Sequence, residues 1–336
     1  MQLDRTAPEV SFAIEAVRQA SLLVKSVEQE LVNQSITKSD KSPVTVADFA
    51  AQALVGCLLE HAFPNDPLVA EEDSAHLRES DSRETLAKVA SFVGRHLAYA
   101  TPETVCAWID RGASAPTQRY WTLDPIDGTK GFLRGDQYAV ALALVIDGTV
   151  ELGVLGCPNL RDGCIPDHSG PGSIIVAQRG KGAWTQSMAD PAAPLTQLHV
   201  SKNADSADAQ VLRSVDAGHT NVGRVAQLME MLRVRNEPVL MDSQAKYAVM
   251  AAGKGDLLFR LLTKAQPDYR EKIWDHAAGT IIIEEAGGRV TDLTGKPLDF
   301  TQGRSLNDNV GIVATNGLLH DTALHAIRTV FEDYSS

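Results

Sequence analysis

The stretch at residues 138–158, YAVALALVIDGTVELGVLGCP, constrains the fold of this chain more than any other. Two apolar, β-rich runs flank Asp147-Gly148, and Asp-Gly between such runs is the strongest short-range signal for a hairpin. Apart from Glu151, no other acid lies close by. We therefore predict two antiparallel strands joined by a type I′ turn.

The tetrapeptide Ile-Asp-Gly-Thr of this hairpin also occurs earlier, at residues 126–129. There it follows an Asp-Pro dipeptide, and proline fixes φ and removes a backbone donor, which predicts a rigid turn and not a ladder. Asp124 and Asp127 lie across this turn and can point to one side. Gly128 permits close approach of the backbone, and Thr129 begins a segment whose free N–H groups can face an anion. This spacing alone is weak evidence for a site, because turns contain it routinely.

Hydrophobic periodicity and turn residues divide the rest of the chain into elements. Helices are predicted at about residues 8–33, 46–63, 222–233, 243–252, 275–286 and 319–331. Strands are predicted within residues 66–73, 119–125, 173–178, 256–262 and 309–315. From Ser173 onward strands alternate with helices, which favours a mixed α/β second half.

The net charge of −12 argues against a nucleic-acid polymer or an anionic membrane as partner. It does not argue against a small phosphorylated ligand, provided that the site itself is locally positive. We expect no membrane span, because no apolar run approaches the roughly 18 residues that one needs. The N-terminal residues carry acids and no apolar core, so that we expect a cytoplasmic protein.

Further acids stand at the ends of predicted elements. Glu71 to Asp73 end a strand, Asp48 stands at the start of a helix, and Asp275 stands at the start of another in KIWDHAAG. Each has an ordinary structural explanation: a solvated helix entry, a first-turn acid favoured by the helix dipole, and an N-cap. Taken singly, these explanations are the better ones.

Together, the segments resemble the inositol monophosphatase superfamily of metal-dependent, lithium-sensitive phosphatases. The resemblance rests on WTLDPIDGTKGF at 121–132, WDHAAGTIIIEEAGG at 274–288, PVTVADFAAQ at 43–52 and the pair Glu71-Glu72. These motifs span nearly the whole chain. The longer forms DGTKGFLRGDQYAVALAL, AEEDSAHL, SVDAGH, DSQAKY and EKIWDHAAG are similar to one branch, the 3'(2'),5'-bisphosphate nucleotidases.

The resemblance implies a layered αβαβα fold of the inositol monophosphatase and fructose-1,6-bisphosphatase type. Residues 1–165 would form an α+β metal-binding domain, and residues 166–336 an α/β domain with the nucleotide contacts and the last metal ligand. It implies metal ligands at Glu71, Asp124, Ile126 (through its carbonyl), Asp127 and Asp275. It implies catalytic roles for Asp48 and Thr129, which would orient and deprotonate the attacking water. The substrate-binding residues that it implies are Gly128, Thr129, His219, Ser243, Lys246, Arg260 and Asp275.

The reaction implied is Mg²⁺-dependent hydrolysis of the 3'-phosphate of 3'-phosphoadenosine 5'-phosphate to AMP and phosphate, in sulfur assimilation. The 2'-phosphate isomer and 3'-phosphoadenylyl sulfate are expected as further substrates. Two or three Mg²⁺ ions and inhibition by Li⁺ and Ca²⁺ are expected as well. The oligomeric state is left open, with a monomer favoured.

Three rival functions are weighed against this one. An inositol polyphosphate 1-phosphatase or inositol monophosphatase would share the chemistry, but inositol monophosphatases usually continue Asp-Gly-Thr with Thr-Asn-Phe, whereas this chain has Lys130-Gly131. A non-catalytic nucleotide sensor on the same scaffold would be expected to lose a ligand, and none is lost. A dinucleotide-binding oxidoreductase is poorly supported, because no Gly-x-Gly-x-x-Gly follows a strand.

Overall fold

The predicted hairpin lies in the middle of a seven-stranded sheet in the computed structural model, which describes residues 3–32, 42–215, 220–261 and 269–331. Asp147 and Gly148 have φ of 51° and 74°, the two positive values that a type I′ turn requires. The strands of this sheet are β1 Leu68–Ala70, β2 Arg119–Asp127, β3 Ala139–Ile146, β4 Thr149–Cys157, β7 Ser173–Gln178, β8 Gly182–Ser187 and β9 Thr196–Leu198. Their order is β1-β2-β3-β4-β7-β8-β9, and β1 runs parallel to β2.

A second sheet has five strands in the order β11-β10-β12-β14-β13. They are β10 Val211–Arg213, β11 Val239–Leu240, β12 Leu257–Arg260, β13 Arg289–Thr291 and β14 Ile312–Thr315. Two short strands, β5 Leu160–Arg161 and β6 Ile165–Pro166, form a separate two-stranded sheet.

The predicted helices are present with small shifts of their ends. The described helices are α1 Pro8–Val27, α2 Ser42–Ala62, α3 Arg83–Gly94, α4 Pro102–Asp110, α5 Thr129–Arg134, α6 Val222–Met231, α7 Ala245–Ala251, α8 Ala277–Glu285 and α9 His320–Val330. A π-helical turn at Glu28–Val32 prolongs α1. Helix α2 begins before the predicted start at residue 46, because the proline in its first turn has no N–H to leave unpaired and its φ suits a helix.

The helices and sheets form five layers, and the described residues buried between these layers form three hydrophobic clusters. Helices α1 and α2 pack on one face of the seven-stranded sheet, α7 and α8 lie between the two sheets, and α6 and α9 cover the outer face of the five-stranded sheet. Alternation along the strands produces this arrangement: Leu142 and Leu144 face the first cluster, while Ala141 and Ala143 face the second. The expected layered αβαβα fold is therefore confirmed.

The predicted division at residues 165 and 166 falls in β6, on the connection between two neighbouring strands of the seven-stranded sheet. Strand β7 follows that point, yet it pairs along its length with β4, which precedes it. The change from one sheet to the other comes between Leu198 and Val211. The sequence Gly-Pro-Gly at residues 170–172 lies on the connection that leads into β7. It therefore does not mark the boundary between the two sheets.

In the second sheet, β10 lies parallel to both β11 and β12 and between them. Helix α6 follows β10 on the outer face, whereas α7 follows β11 on the inner face. The chain thus leaves neighbouring parallel strands toward opposite faces. Ligands of open α/β sheets bind at the carboxyl ends of strands at such a point.

Helix α2 contains a stretch, Val44–Ala62, that is long and apolar enough to span a membrane by length and composition. The prediction that no apolar run approaches this length is therefore wrong for this helix. Most of this stretch is buried inside the fold, where α2 packs against α1, α3, α4 and β2.

Candidate active site

A cavity of about 330 Å³ lies where the carboxyl ends of parallel strands from both sheets meet. The ends of β1 and β2 contribute Glu71, Asp124 and Asp127, and the ends of the second sheet's strands contribute Ser243 and Arg260. Residues that are far apart in sequence are thus brought together by the arrangement of two sheets.

All five predicted metal ligands line this cavity: Glu71, Asp124, Ile126, Asp127 and Asp275. The register between β2 and β3 shifts between Asp124 and Asp127, where the intervening proline cannot donate to the ladder. The segment is therefore the bulged end of a strand, where a rigid turn was predicted. The carboxylate of Asp124 accepts the N–H of Ile126 at 3.1 Å, which fixes its orientation. Asp275 lies two residues before α8 and is not its N-cap, which is His276.

The carboxyl groups raise one another's pKa. Burial is the main cause for Asp124, and Glu71 and Asp127 add to it; burial and Asp127 do the same for Asp275. Glu71 is exposed at the rim as a whole residue, yet burial of its carboxyl, together with Glu72 and Asp127, raises its pKa to about 7. Such a group of acids holds protons or a cation, because like charges at close range cannot all ionise.

Asp48 lies in the second turn of α2, not at the helix start that the sequence predicts. It is buried, and its Oδ1 has no hydrogen-bond partner in the described structure. Burial raises its pKa well above the usual range, and Glu72 and Glu71 raise it further. A first-turn acid that serves only the helix dipole would be solvated, so this environment points away from that explanation. Thr129 lines the cavity at the start of α5.

This set of donors suits a hard divalent cation. The ligand groups are oxygens of carboxylates and of one backbone carbonyl, which favour Mg²⁺ over a soft metal. The crowded carboxylates and the unpartnered Asp48 oxygen are the observations of this structure that agree with a bound cation.

A second group of ligand-type atoms lies close by and has a different explanation. Atoms of Glu271, Asp275 and His276 lie within 4.8 Å of one another. Glu271, however, accepts from Arg260 Nε at 2.9 Å and lies 3.1 Å from His276 Nε2. Burial alone would raise the pKa of Glu271, but Arg260 and His276 outweigh it and lower the pKa to about 2. Glu271 is therefore an ionised and fully engaged partner of two side chains, and not a spare ligand.

Three of the predicted substrate contacts from the second half, Ser243, Lys246 and Arg260, line the same cavity. Lys246 is buried and donates from Nζ to the carbonyl of Ser243 at 2.8 Å. Burial lowers the pKa of Lys246 to about 8, although Asp127 opposes this effect. Burial would also lower the pKa of Arg260, but Glu271 and Asp275 raise it. Asp275, predicted to contact both metal and substrate, also lines the cavity, whereas His219 lies outside the described residues.

Gly128 adjoins this group, and a residue with a side chain would not fit at its position. Its φ is 90°, which favours glycine, and an added Cβ would stand 2.8 Å from Cβ of Ser243. Ser243 itself has φ of 65°, an uncommon value for a residue with a side chain. The close approach of these two segments joins the end of β2 to the start of α7.

Gln244 connects the acidic segments and was not singled out in the sequence. Its backbone N–H donates to Asp127 at 2.6 Å, and its side chain donates to the carbonyl of Trp274 and accepts from Gly279. A single residue thus holds Asp127, through its backbone, next to the segment that carries Asp275, which its side chain contacts.

Arg304 makes a similar connection from the far end of the chain. It donates to the carbonyls of Ala70 and Gly112, and its guanidinium lies 4.8 Å from the ring centre of Trp274. Ala70 precedes Glu71 and Trp274 precedes Asp275. Arg304 therefore ties together the two backbone segments that bear these acids.

Two cations of the cavity were also missed. Lys272 donates to Ser305 at 3.2 Å, and its charge opposes the rise in the pKa of Glu71. Arg213 ends β10, and in the described structure its buried Nε has no hydrogen-bond partner. Arg213 lies in no recognisable motif with a fixed spacing to the acids. Lys272 stands in EKIWDHAAG, which could have drawn attention to it.

The comparisons with known proteins agree with this geometry. A 3'(2'),5'-bisphosphate nucleotidase of Schizosaccharomyces pombe is 42% identical, over 96% of this chain and 95% of its own length. A 3'(2'),5'-bisphosphate nucleotidase of Oryza sativa is 40% identical, over 97% and 95%. The solved structure of a Thermotoga maritima IMPase matches with a TM-score of 0.62 at 22% identity, covering 97% of this chain and 99% of that one, which supports the fold. The model of the inositol monophosphatase family matches residues 6–332, and this chain belongs to that metal-dependent phosphatase family.

Proposed function

We propose that this protein is a Mg²⁺-dependent 3'(2'),5'-bisphosphate nucleotidase that converts 3'-phosphoadenosine 5'-phosphate to AMP and phosphate. The observation that carries the proposal is that carboxylates and cationic side chains line the same cavity. Glu71, Asp124 and Asp127 supply crowded carboxylates, and Lys246 and Arg260 supply cations a short distance away. A substrate with one phosphate to be cleaved and a second to be held fits both. The relatives named above carry this activity in their names.

Glu71, Asp124, Asp127, Asp275 and the Ile126 carbonyl would hold two or three magnesium ions. When bound, these ions supply charge neutralisation of the reacting phosphate, activation of a water and stabilisation of the leaving oxygen. This local positive charge reconciles an acidic protein with an anionic substrate. With the ions bound, the raised pKa values of Glu71, Asp124 and Asp275 would fall, because a carboxylate binds a metal in its deprotonated form.

Asp48 and Thr129 would orient the attacking water and take up its proton. A threonine hydroxyl can accept a hydrogen bond from water while it donates to a carboxylate, which makes Asp48 the final acceptor. The buried, unpartnered Oδ1 of Asp48 supports this role. Backbone N–H groups of Gly128 and Thr129 would hold oxygens of the reacting phosphate.

Ser243, Lys246 and Arg260, with His219, would bind the part of the nucleotide that does not react. Any phosphatase with the same acids can cleave a phosphate ester, so preference for a nucleotide must come from contacts elsewhere. Lys246 and Arg260 offer charge-assisted hydrogen bonds, each typically worth about 1.5–3 kcal/mol. We also propose that the 2'-isomer and 3'-phosphoadenylyl sulfate are substrates, in sulfur assimilation in the cytoplasm.

The test is phosphate release from 3'-phosphoadenosine 5'-phosphate, its 2'-isomer, 3'-phosphoadenylyl sulfate, 3'-AMP, inositol 1-phosphate and inositol 1,4-bisphosphate. We expect kcat/KM to be highest for the bisphosphorylated nucleotides. A preference for either inositol phosphate would favour the rival activities instead. EDTA should abolish turnover, and Ca²⁺ and Li⁺ should inhibit it; Ca²⁺ is larger and tolerates poorer geometry than Mg²⁺. Turnover in metal-free buffer would contradict the proposed metal dependence.

A further inference from the structure

Arg260 is held in place by a hydrogen-bond network of buried side chains. Its Nε donates to one oxygen of Glu271 at 2.9 Å, and the other oxygen of Glu271 lies 3.1 Å from Nε2 of His276. Nδ1 of His276 lies 2.9 Å from the hydroxyl of Tyr247. Because an ionised carboxylate can only accept, His276 donates from Nε2 to Glu271. In the neutral imidazole, Nδ1 then accepts from the hydroxyl of Tyr247.

In this series of hydrogen-bonded side chains, the guanidinium of Arg260 is the group that reaches the cavity. Glu271, His276 and Tyr247 are buried, whereas the side chain of Arg260 keeps 22% of its surface exposed and lines the cavity. Among the described residues, Glu271 bonds Nε, the nitrogen nearest the stem, and the Tyr269 side chain also interacts with the guanidinium. The outer nitrogens carry four N–H groups, so they keep donors for a further partner. A guanidinium held in this way is pre-organised to bind an anion through two parallel hydrogen bonds.

We propose that Glu271 is a positioning residue that fixes Arg260 for the non-reacting phosphate of the substrate. The inference rests on the proposed function, in which Arg260 binds that phosphate. An arginine side chain has many rotamers, and immobilising it at the moment of binding weakens affinity. Glu271 removes that cost beforehand. Its backbone is itself fixed, because its carbonyl accepts the N–H of Leu306 at 2.8 Å.

The experiment compares wild type, Glu271→Ala, Arg260→Ala and the double variant, with kcat and KM for 3'-phosphoadenosine 5'-phosphate and for 3'-AMP. Glu271→Ala should lower kcat/KM for the bisphosphate about three- to tenfold, mainly through KM, and change 3'-AMP little. In the Arg260→Ala background the same substitution should have no further effect, because the residue on which Glu271 acts is gone.

Three outcomes would overturn the proposal. Equal losses for both substrates would mean that Glu271 supports the fold. A full additional loss in the double variant would mean that it acts independently of Arg260. A gain in affinity for the bisphosphate would mean that the carboxylate mainly weakens the charge of Arg260. Glu271→Gln keeps the shape and an acceptor for Nε, and if Glu271→Ala fails to fold, an intermediate loss confined to the bisphosphate is expected of Glu271→Gln.

A direct readout separates this proposal from the proposed function. The Nε–H signal of Arg260 in ¹⁵N NMR, assigned by its absence in Arg260→Lys, should be protected from exchange in wild type and lose that protection in Glu271→Ala. Glu284→Ala is the matched control, since Glu284 pairs with Arg179 at 2.6 Å outside the cavity. If wild type prefers neither substrate, the proposed function fails, and the Nε–H signal still decides whether Glu271 fixes Arg260. Unchanged protection in Glu271→Ala overturns the positioning role.

Discussion

The same four residues, Ile-Asp-Gly-Thr, form two different structures in this protein. At residues 146–149 the tetrapeptide turns the chain between β3 and β4, with Asp147 exposed and Thr149 beginning a strand. At residues 126–129 it ends β2, and Thr129 begins a helix. Only Gly128 has positive φ there, whereas both Asp147 and Gly148 do at the hairpin.

The neighbours of the tetrapeptide explain the difference. The hairpin copy is followed by an apolar strand that pairs back onto β3. The other copy is preceded by Pro125, which interrupts pairing, and its aspartate meets the N–H of Gln244 from the second half of the fold. Identical local sequence therefore permits both structures, and distant partners decide which acid joins a site.

The largest expected contrast is between Asp127→Asn and Asp147→Asn. The first removes a proposed metal ligand, and ligand loss of several kcal/mol corresponds to at least about a thousandfold in kcat/KM. The second should change kcat/KM less than about twofold, because asparagine also suits a type I′ turn. The measurement is phosphate release from 3'-phosphoadenosine 5'-phosphate at saturating Mg²⁺. Comparable losses at the two positions would remove the distinction between the copies.

Thr129→Ala and Thr149→Ala sharpen the comparison at the chemical step. Positioned acid–base groups typically contribute 10²–10⁴-fold, so Thr129→Ala should lower kcat by about a hundredfold and leave KM nearly unchanged. Thr149→Ala, at an exposed strand start, should leave both constants close to wild type. A loss at Thr129 that appears in KM alone would assign the residue to binding instead of chemistry.

Gly128→Ala and Gly148→Ala should differ in activity but not in stability. Both glycines have positive φ, and an added Cβ lowers stability by roughly 1–2 kcal/mol at such a conformation. At Gly128 the new atom also meets Ser243, whereas at Gly148 it meets the methyl group of Thr301. We expect about a tenfold loss of kcat/KM for Gly128→Ala alone. Thermal unfolding and kinetics on both variants check this, and equal activities would contradict it.

The smallest expected effect is in the pH dependence of stability. The pKa of Glu71 is raised to about 7 in the metal-free fold, so between its ordinary value of 4.5 and 7 the folded protein binds more protons than the unfolded chain. Stability of the metal-free protein should therefore fall as pH rises through this window. Mg²⁺ replaces these protons, and its stabilising increment in Tm should be larger at pH 8 than at pH 5.5.

Calorimetry at both pH values with and without Mg²⁺ measures that increment. Asp127→Asn should reduce it by removing one of the acids, while Asp147→Asn should retain it as the control. An increment that is independent of pH, or that is equally reduced in both variants, would show that the crowded carboxyls do not govern metal binding.

Local signals in the sequence predicted most of the helices and the strands β1 to β4, β7, β12 and β14, because these signals depend on nearby residues. Strands β8 to β11 and β13 were not predicted. The Asp147-Gly148 turn and the strand that ends before Glu71 were predicted from pattern alone. Membership of a sheet was not, since β7 pairs with β4 through contacts that no local pattern encodes. The position of Asp48 in α2 was also predicted wrongly. The helix begins at Ser42, several residues before the first residue of its apolar pattern.

The site was predicted unevenly. Asp124, Asp127 and Asp275 stand in motifs with fixed neighbours, and the resemblance to a family could identify them. Arg213 and Gln244 enter the cavity region only through the topology of the second sheet and the packing of α7. Arg260 was predicted from the resemblance, but its partner Glu271 could be assigned only from the contact itself.

The connection made by Arg304 bears on how the protein is made. Arg304 and Ala70 are 234 positions apart, and the chain leaves the ribosome from its N-terminus. The acids of the first sheet are therefore synthesised long before the residue that ties their backbone to that of Asp275. Long-range contacts of this kind form slowly, so the metal site should be completed near the end of folding. A nascent chain that stops before Arg304 would carry Glu71 and Asp275 without the contact that connects their segments.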